Sequence, residues 1–195
     1  LEVDGIHITE RREQRDAVHA AIVSVLARRL TRAGWQVALE VPTGAGAPTG
    51  WIDLVAFRAA DGAMLVIEVK TAIPDVGGLL RQVAFYEREA PWAGRRQGWL
   101  PERIAAAVVC LDSEQIRDTL QRNRGLLAAA FPATPDRFAA WVRGAGEAPD
   151  GRALLAVDLR RRQGLGLGPT VLDGRRSSPA YRDYADAAAS LGSRR

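Results

Sequence analysis

The chain has 195 residues, 47% of them hydrophobic, enough for one good core and too few for two ordinary domains joined by a linker. Its 27 basic and 23 acidic side chains leave a formal charge of +4, which permits an approach to phosphates without identifying a nucleic-acid binder. No stretch nears 18 apolar residues, no charged leader precedes an apolar run, and the lone Cys110 cannot form an internal disulfide, so neither a membrane span nor a signal peptide is expected and a reducing cytoplasm fits.

From Thr9 to Arg32, apolar residues at Val18, Ile22, Val25, Leu26 and Leu30 follow the spacing of an amphipathic helix, and Gly34 suits the position just past its end. Trp35 to Val41 alternates as a strand does, and 42–50, rich in glycine and proline, reads as a loop. Trp51 to Arg58 and Ala63 to Thr71 are predicted as the strands of a hairpin, with the turn signal Asp61-Gly62 between them. A second helix is predicted over Asp75 to Ala90, then a buried strand over Ile104 to Leu111 that holds Cys110 as a structural thiol. Ser113 to Ala130 reads as a third helix capped by Ser113. A short helix over Pro135 to Val142, a strand from Ala153 to Leu159 and an irregular arginine-rich tail complete the chain. The expected class is α/β (α+β), with one domain over residues 1–159 and a basic extension over 160–195. From Gly151 onward, 9 basic side chains outnumber 4 acidic ones.

Arginine supplies 26 of the 27 basic residues, and Lys70 is the only lysine. A guanidinium is always charged and delocalised over a planar fork, whereas an ammonium is a compact point charge whose pKa moves when it is desolvated. Lys70 closes the apolar run Met64-Leu-Val-Ile-Glu-Val-Lys70. The two-residue period of a strand puts Val66, Glu68 and Lys70 on one face and Leu65, Ile67 and Val69 on the other. A two-residue turn at Asp61-Gly62 would set Asp53 opposite Lys70; a four-residue loop over 59–62 would set it opposite Glu68. In either register the three groups share a face within ~8 Å. Two carboxylates and an ammonium so placed suit a hard divalent cation, Mg2+ or else Mn2+, that keeps several waters and takes phosphate oxygens as further ligands. The metal would acidify a bound water and neutralise charge on a scissile phosphate, while the lysine would orient that water or stabilise the developing charge.

Asp53, the hairpin and Glu68-Val-Lys70, set between an N-terminal helix and a helix carrying Arg81 and Gln82, resemble the PD-(D/E)xK, or restriction-endonuclease-like, superfamily from about Glu10 to Leu111. Gly50-Trp-Ile-Asp-Leu-Val-Ala56 and Val66-Ile-Glu-Val-Lys-Thr71 look especially like its resolvase-type branch. The resemblance implies a central mixed sheet flanked by helices in the core order αβββαβ. It implies Asp53 and Glu68 as metal ligands, the carbonyl of Val69 as a further ligand, and Lys70 as the catalytic lysine. It also implies that Gln82, which shares a helix face with Tyr86, points toward the site, and that a first-helix acid faces it. Glu13 is favoured for that role over Glu10 and Asp16. The proline that often precedes the family's aspartate is absent, with Trp51 and Ile52 in its place. The whole chain, including Asp173-Gly-Arg-Arg176 and Tyr181-Arg-Asp-Tyr184, further resembles nuclease-like domains appended to helix-turn-helix regulators in high-GC bacteria. A start at Leu1 fits a piece of such a longer polypeptide. Homodimerisation is expected on the same ground, because many nucleases of this fold cut both strands as dimers.

Simpler readings compete. A cross-strand ion pair on a solvated sheet face would contribute at most ~1 kcal/mol and needs no metal. Arg81 reads as an exposed helix charge or a phosphate contact, and Arg160 to Arg162, Arg175 and Arg176 as solvated charge or DNA contacts. His7 and His19 are too few and too far apart in sequence for a zinc site with Cys110, and neither is assigned to the site. Of five tryptophans, Trp51, beside the site strand, is the candidate for stacking on a base. The glycine-rich stretches 44–50 and 164–168 lack the Lys-Ser/Thr of a phosphate loop, and there is no Gly-x-Ser-x-Gly elbow. The expected function is metal-dependent hydrolysis of DNA, and the alternative is a catalytically idle DNA-binding or regulatory module of a transcription factor.

Overall fold

The computed structural model describes residues 3–44, 50–161, 167–170, 172 and 178–192, with side chains in the first helix from Arg12 onward. The elements are α1 (Val3–Arg32), β1 (Gln36–Thr43), β2 (Gly50–Arg58), β3 (Ala63–Lys70), α2 (Val76–Arg96) and β4 (Arg103–Leu111), then α3 (Glu114–Arg122), α4 (Arg124–Ala130), α5 (Pro135–Val142), β5 (Ala153–Val157), β6 (Leu167–Gly168) and α6 (Tyr184–Gly192). Six strands form one mixed sheet in sequence order. Pairing is antiparallel from β1 through β3, parallel from β3 through β5, and antiparallel again at β6.

Helices cover both faces of this sheet, which is why β3 has no polar alternation and is buried at every position before Lys70. On one face, Val18, Ile22, Leu26 and Leu30 of α1 join Leu54, Ala56, Leu65, Ile67 and Val69 in the larger core. On the other, Tyr86, Ala90 and Ala93 of α2 join Val55, Phe57, Met64 and Val66. The division of β3 side chains between the two cores is the one its two-residue period dictates. Cys110 is fully buried, and burial pushes its thiol up to about 12. Among the described residues, no helix is long and apolar enough to cross a membrane.

Several boundaries depart from the sequence reading, each for a local reason. The hairpin closes through four residues: Arg58 pairs with Ala63, both Asp61 carboxylate oxygens accept from the Arg58 guanidinium at 3.0 and 2.7 Å, and Gly62 takes φ 62°. Helix α2 runs on through Pro91 to Arg96, because its last turns bury Ala90, Ala93 and Gly94. A Cβ on Gly94 would stand 3.0 Å from the Met64 sulfur and 3.2 Å from the Pro101 ring, so a larger residue here would have to push those side chains back by a few tenths of an ångström. The single helix expected after Ser113 is two, broken at Asn123, whose side-chain amide donates to the Thr119 carbonyl at 2.9 Å. Ser113 does cap α3, its Oγ accepting from Ile116 N at 3.3 Å.

The tail expected to be irregular holds two elements. β6 adds an edge strand to β5, and the alanine-rich α6 packs on α1 with Ala187 buried. The described part of the basic extension therefore lies on the same core as the rest of the chain.

Candidate active site

Asp53 sits where the sheet opens. The β2–β3 ladder runs from Arg58 with Ala63 to Leu54 with Ile67, and its register sets Asp53 across from Glu68, as a four-residue loop requires. Asp53 replaces the next rung: its Oδ2 accepts from the backbone N–H of Val69 at 2.7 Å. The β1–β2 ladder also skips Asp53, since Leu39 pairs with Leu54 and Val41 with Ile52 while Glu40 between them is held at φ 49°. Among the described residues Glu40 is the one non-glycine with positive φ, a conformation that costs about 1–3 kcal/mol and is tolerated where surrounding structure imposes it.

From this opening a chain of hydrogen bonds crosses to α2. Lys70 Nζ donates to Glu68 Oε1 at 2.6 Å and to Gln82 Oε1 at 3.0 Å. Gln82 Nε2 donates to the Tyr86 hydroxyl at 2.8 Å, which itself donates to the Trp51 carbonyl at 2.7 Å. The expectation that Glu68 and Lys70 share a face, and that Gln82 and Tyr86 share another directed at them, describes this geometry. The solvated-face alternative does not, because Glu68 is only 4% exposed. Its Oε2 is buried without a hydrogen-bond partner. Burial first and the charge of Asp53 second push the Glu68 carboxyl up to about 7, against the opposing pull of Lys70. Burial and then the Glu68 charge push the Tyr86 phenol up to about 12.

One site residue was missed by sequence reasoning. His19 of α1 places Nε2 3.2 Å from Asp53 Oδ2, so a histidine does belong to the site. Its hydrogen bond to Asp53 raises its pKa above the ordinary value, outweighing burial. The signal was its position one helical turn before the buried Val23, on the edge of the apolar stripe. Glu13, the favoured first-helix acid, is exposed and stands six residues away on another side of the helix, whereas Asp16 joins His19, Arg28, Leu39, Glu40 and Asp53 in lining a groove of about 660 Å³. The side chains of His7 and Glu10 lie outside the described residues.

Other expected contacts are dispersed. Arg81 is exposed and pairs with Asp75 at 3.4 Å, while Arg160 and Arg161 pair with Asp158. Arg162, Arg175 and Arg176 lie outside the described residues. Trp51 leaves 54% of its surface in solvent beside the site. Among the described residues no three histidine, cysteine or carboxylate side chains converge tightly enough to hold a cation as they stand. No protein-family model matches this chain, and no curated protein matches it.

Proposed function

We propose that the opening between β2 and β3 is the active site of a metal-dependent nuclease hydrolysing DNA phosphodiester bonds, on a fold of the PD-(D/E)xK type. One observation carries this reading: the buried Glu68 holds the chain's only lysine with one oxygen and leaves the other, beside Asp53, without a partner. A buried carboxylate oxygen with no partner is costly, and two carboxylates in one recess repel. A divalent cation held by Asp53, Glu68 and the Val69 carbonyl would relieve both, and an all-oxygen set of this kind fits Mg2+ or Mn2+. When bound, such a cation acidifies a water and neutralises charge on the scissile phosphate.

The chain's own residues do the positioning. Val69 N–H fixes the Asp53 carboxylate. Glu68 and Gln82 occupy two of the three N–H groups of Lys70, leaving the third for an attacking water or a non-bridging phosphate oxygen. Tyr86 holds the Gln82 amide so that its oxygen, not its nitrogen, meets the ammonium. A guanidinium, planar and committed to five N–H directions, does not fit that role.

The test is incubation of supercoiled plasmid, branched and single-stranded DNA with Mg2+ or Mn2+, using Lys70→Ala and Asp53→Ala as controls. Metal-dependent cutting that both substitutions abolish is expected; no cutting on any substrate overturns the proposal. A second reading, an idle nuclease-fold module that binds DNA for a transcription factor, is favoured by Asp53 Oδ2 being engaged by both Val69 N and His19 Nε2. It expects DNA binding without cutting. A helix-turn-helix domain in a longer parent chain and a homodimer belong to either reading, and size measurement of the parent protein on DNA tests both.

A further inference from the structure

We infer that the solvent-facing side of α2 is a docking surface for the phosphate backbone of duplex DNA flanking the scissile bond. The inference rests on the nuclease reading and places the substrate outside the metal site. Arg81, Phe85, Arg88, Trp92 and Arg95 follow one another at alternating intervals of four and three residues. At 3.6 residues per turn they fall in one stripe about 80° wide, with Arg96 at its edge. Val83, Tyr86, Ala90 and Ala93 bury the opposite side of the helix. The four arginines are exposed, and the two rings between them are half-buried.

Two features keep these guanidiniums available to a polyanion. The Arg96 guanidinium lies 4.7 Å over the Trp92 ring, and that of Arg88 lies 5.9 Å over Phe85. Stacking on a ring face orients a guanidinium without consuming its N–H donors. Arg88 gives one of them to the Ala84 carbonyl at 3.2 Å and keeps the rest. The two carboxylates between Arg81 and Arg96 are engaged elsewhere: Glu87 accepts from Arg152 at 2.6 Å, and Glu89 from the Gly44 N–H at 3.0 Å. Among the described residues Arg81 alone of the four arginines pairs with a carboxylate, Asp75 at 3.4 Å, and that pair is exposed and so of little strength.

Position and spacing select the occupant. Arg81 directly precedes Gln82 of the site, and Arg96 lies about 22 Å further along the helix. A straight basic stripe of that length matches about six base pairs of duplex at 3.4 Å each. Both rings already carry a guanidinium, so the stripe suits phosphates rather than the stacking of unpaired bases. Arginine contacts to phosphate oxygens fix the position of the DNA without reading its sequence, and α2 thereby extends the footprint to one side of the cut.

The experiment measures metal-free binding of a fluorescent DNA duplex by anisotropy at several salt concentrations, for the wild type, Arg88→Gln and the double variant Arg95→Gln/Arg96→Gln. Arg143→Gln, at the end of α5, is the control. Each phosphate contact adds about 0.9 to the slope of log affinity against log salt, so Arg88→Gln should flatten that slope by about 0.9 and weaken binding about eightfold at 0.1 M salt. Arg88→Lys, which keeps the charge, should restore most of the loss, and Arg143→Gln should cause none. In the wild type the duplex should also shield Arg88, Arg95 and Arg96, but not Arg143, from phenylglyoxal, read by mass spectrometry; this decides the matter even should a variant fail to fold. Unchanged affinity and slope in the α2 variants, labelling that duplex does not alter, a loss confined to single-stranded DNA, or no duplex binding by the wild type overturns the inference. Metal-dependent cutting is scored separately: cutting with α2 unprotected strikes only the docking surface, whereas binding through α2 with no cutting on any substrate strikes only the catalytic reading.

Discussion

Lys70 Nζ lies 2.6 Å from Glu68 Oε1, while Glu68 Oε2, on the same buried carboxylate, meets no hydrogen-bond donor. The lysine thus neutralises the charge without completing the carboxylate's hydrogen bonding, and removing it leaves a buried charge without its counter-ion. Breaking one side of a buried pair costs several kcal/mol unless the remaining group neutralises itself by taking a proton. Lys70→Met is expected to destabilise the protein by about 1–3 kcal/mol at pH 8, less at pH 5 where Glu68 protonates. Urea unfolding at the two pH values measures this; an equal loss at both would mean that the Glu68 charge is not what Lys70 holds. Lys70→Arg, which keeps the charge, should fold normally and lose DNA cleavage with the alanine variant.

The pH dependence of stability has a defined sign. Glu68 is pushed up to about 7 from its ordinary 4.5, and His19 is raised above 6.5. Each binds its proton more tightly folded than unfolded, so each stabilises the fold at low pH and withdraws that stability as pH rises. For Glu68 the window runs from pH 4.5 to about 7, and for His19 it begins near 6.5. Asp61 and Asp158, held below their ordinary 3.8, act only in more acid solution. Metal-free protein should therefore lose stability between pH 5 and pH 8, Glu68 contributing up to about 3 kcal/mol. Glu68→Gln should remove most of that slope, and stability that rises over this window would contradict the assignment.

Tyr86 is a positioning residue, linking Gln82 to the Trp51 carbonyl at 2.8 and 2.7 Å. Tyr86→Phe keeps the ring in its core and removes both hydrogen bonds. A loss of about 1–3 kcal/mol in stability is expected from the buried groups left unpaired. Under the nuclease proposal, kcat should fall while KM stays near its original value, since Gln82 is released but no substrate contact is lost. A changed KM with kcat intact would place Tyr86 among the substrate contacts instead.

Trp51 exposes 54% of its surface while its own carbonyl is tethered to Tyr86. An aromatic face held in solvent beside the site suits stacking on an unpaired base, worth about 1–3 kcal/mol per base. Single-stranded oligonucleotide should quench its fluorescence, and Trp51→Ala should weaken single-strand binding by that amount while leaving duplex binding unaltered. An equal loss on both substrates would argue against stacking.

Much of the fold and the centre of the site were legible from local patterns. A strand repeats every two residues, so Glu68 and Lys70 share a face whatever the turn does, and the buried Met64–Val69 run follows from helices on both sides. A helix repeats every 3.6 residues, which brings Gln82 and Tyr86 together and lays Val18, Ile22 and Leu26 on the core. The lone lysine was visible in composition alone.

Tertiary structure decided what depends on contacts between distant segments. Arg58, whose guanidinium donates to the distant Trp141 carbonyl at 2.9 Å as well as to Asp61 within the turn, closes the hairpin through four residues, the register that sets Asp53 across from Glu68. The rotation of α1 about its axis, set by how its stripe seats on β2 and β3, turned His19 to Asp53 and left Glu13 in solvent. Docking against α1 gave the C-terminal segment a helix that its irregular composition had hidden. Sequence alone determined which side chains are neighbours within one element, because backbone periodicity is fixed by sterics; which elements meet, and at what angle, depends on packing summed over the whole core.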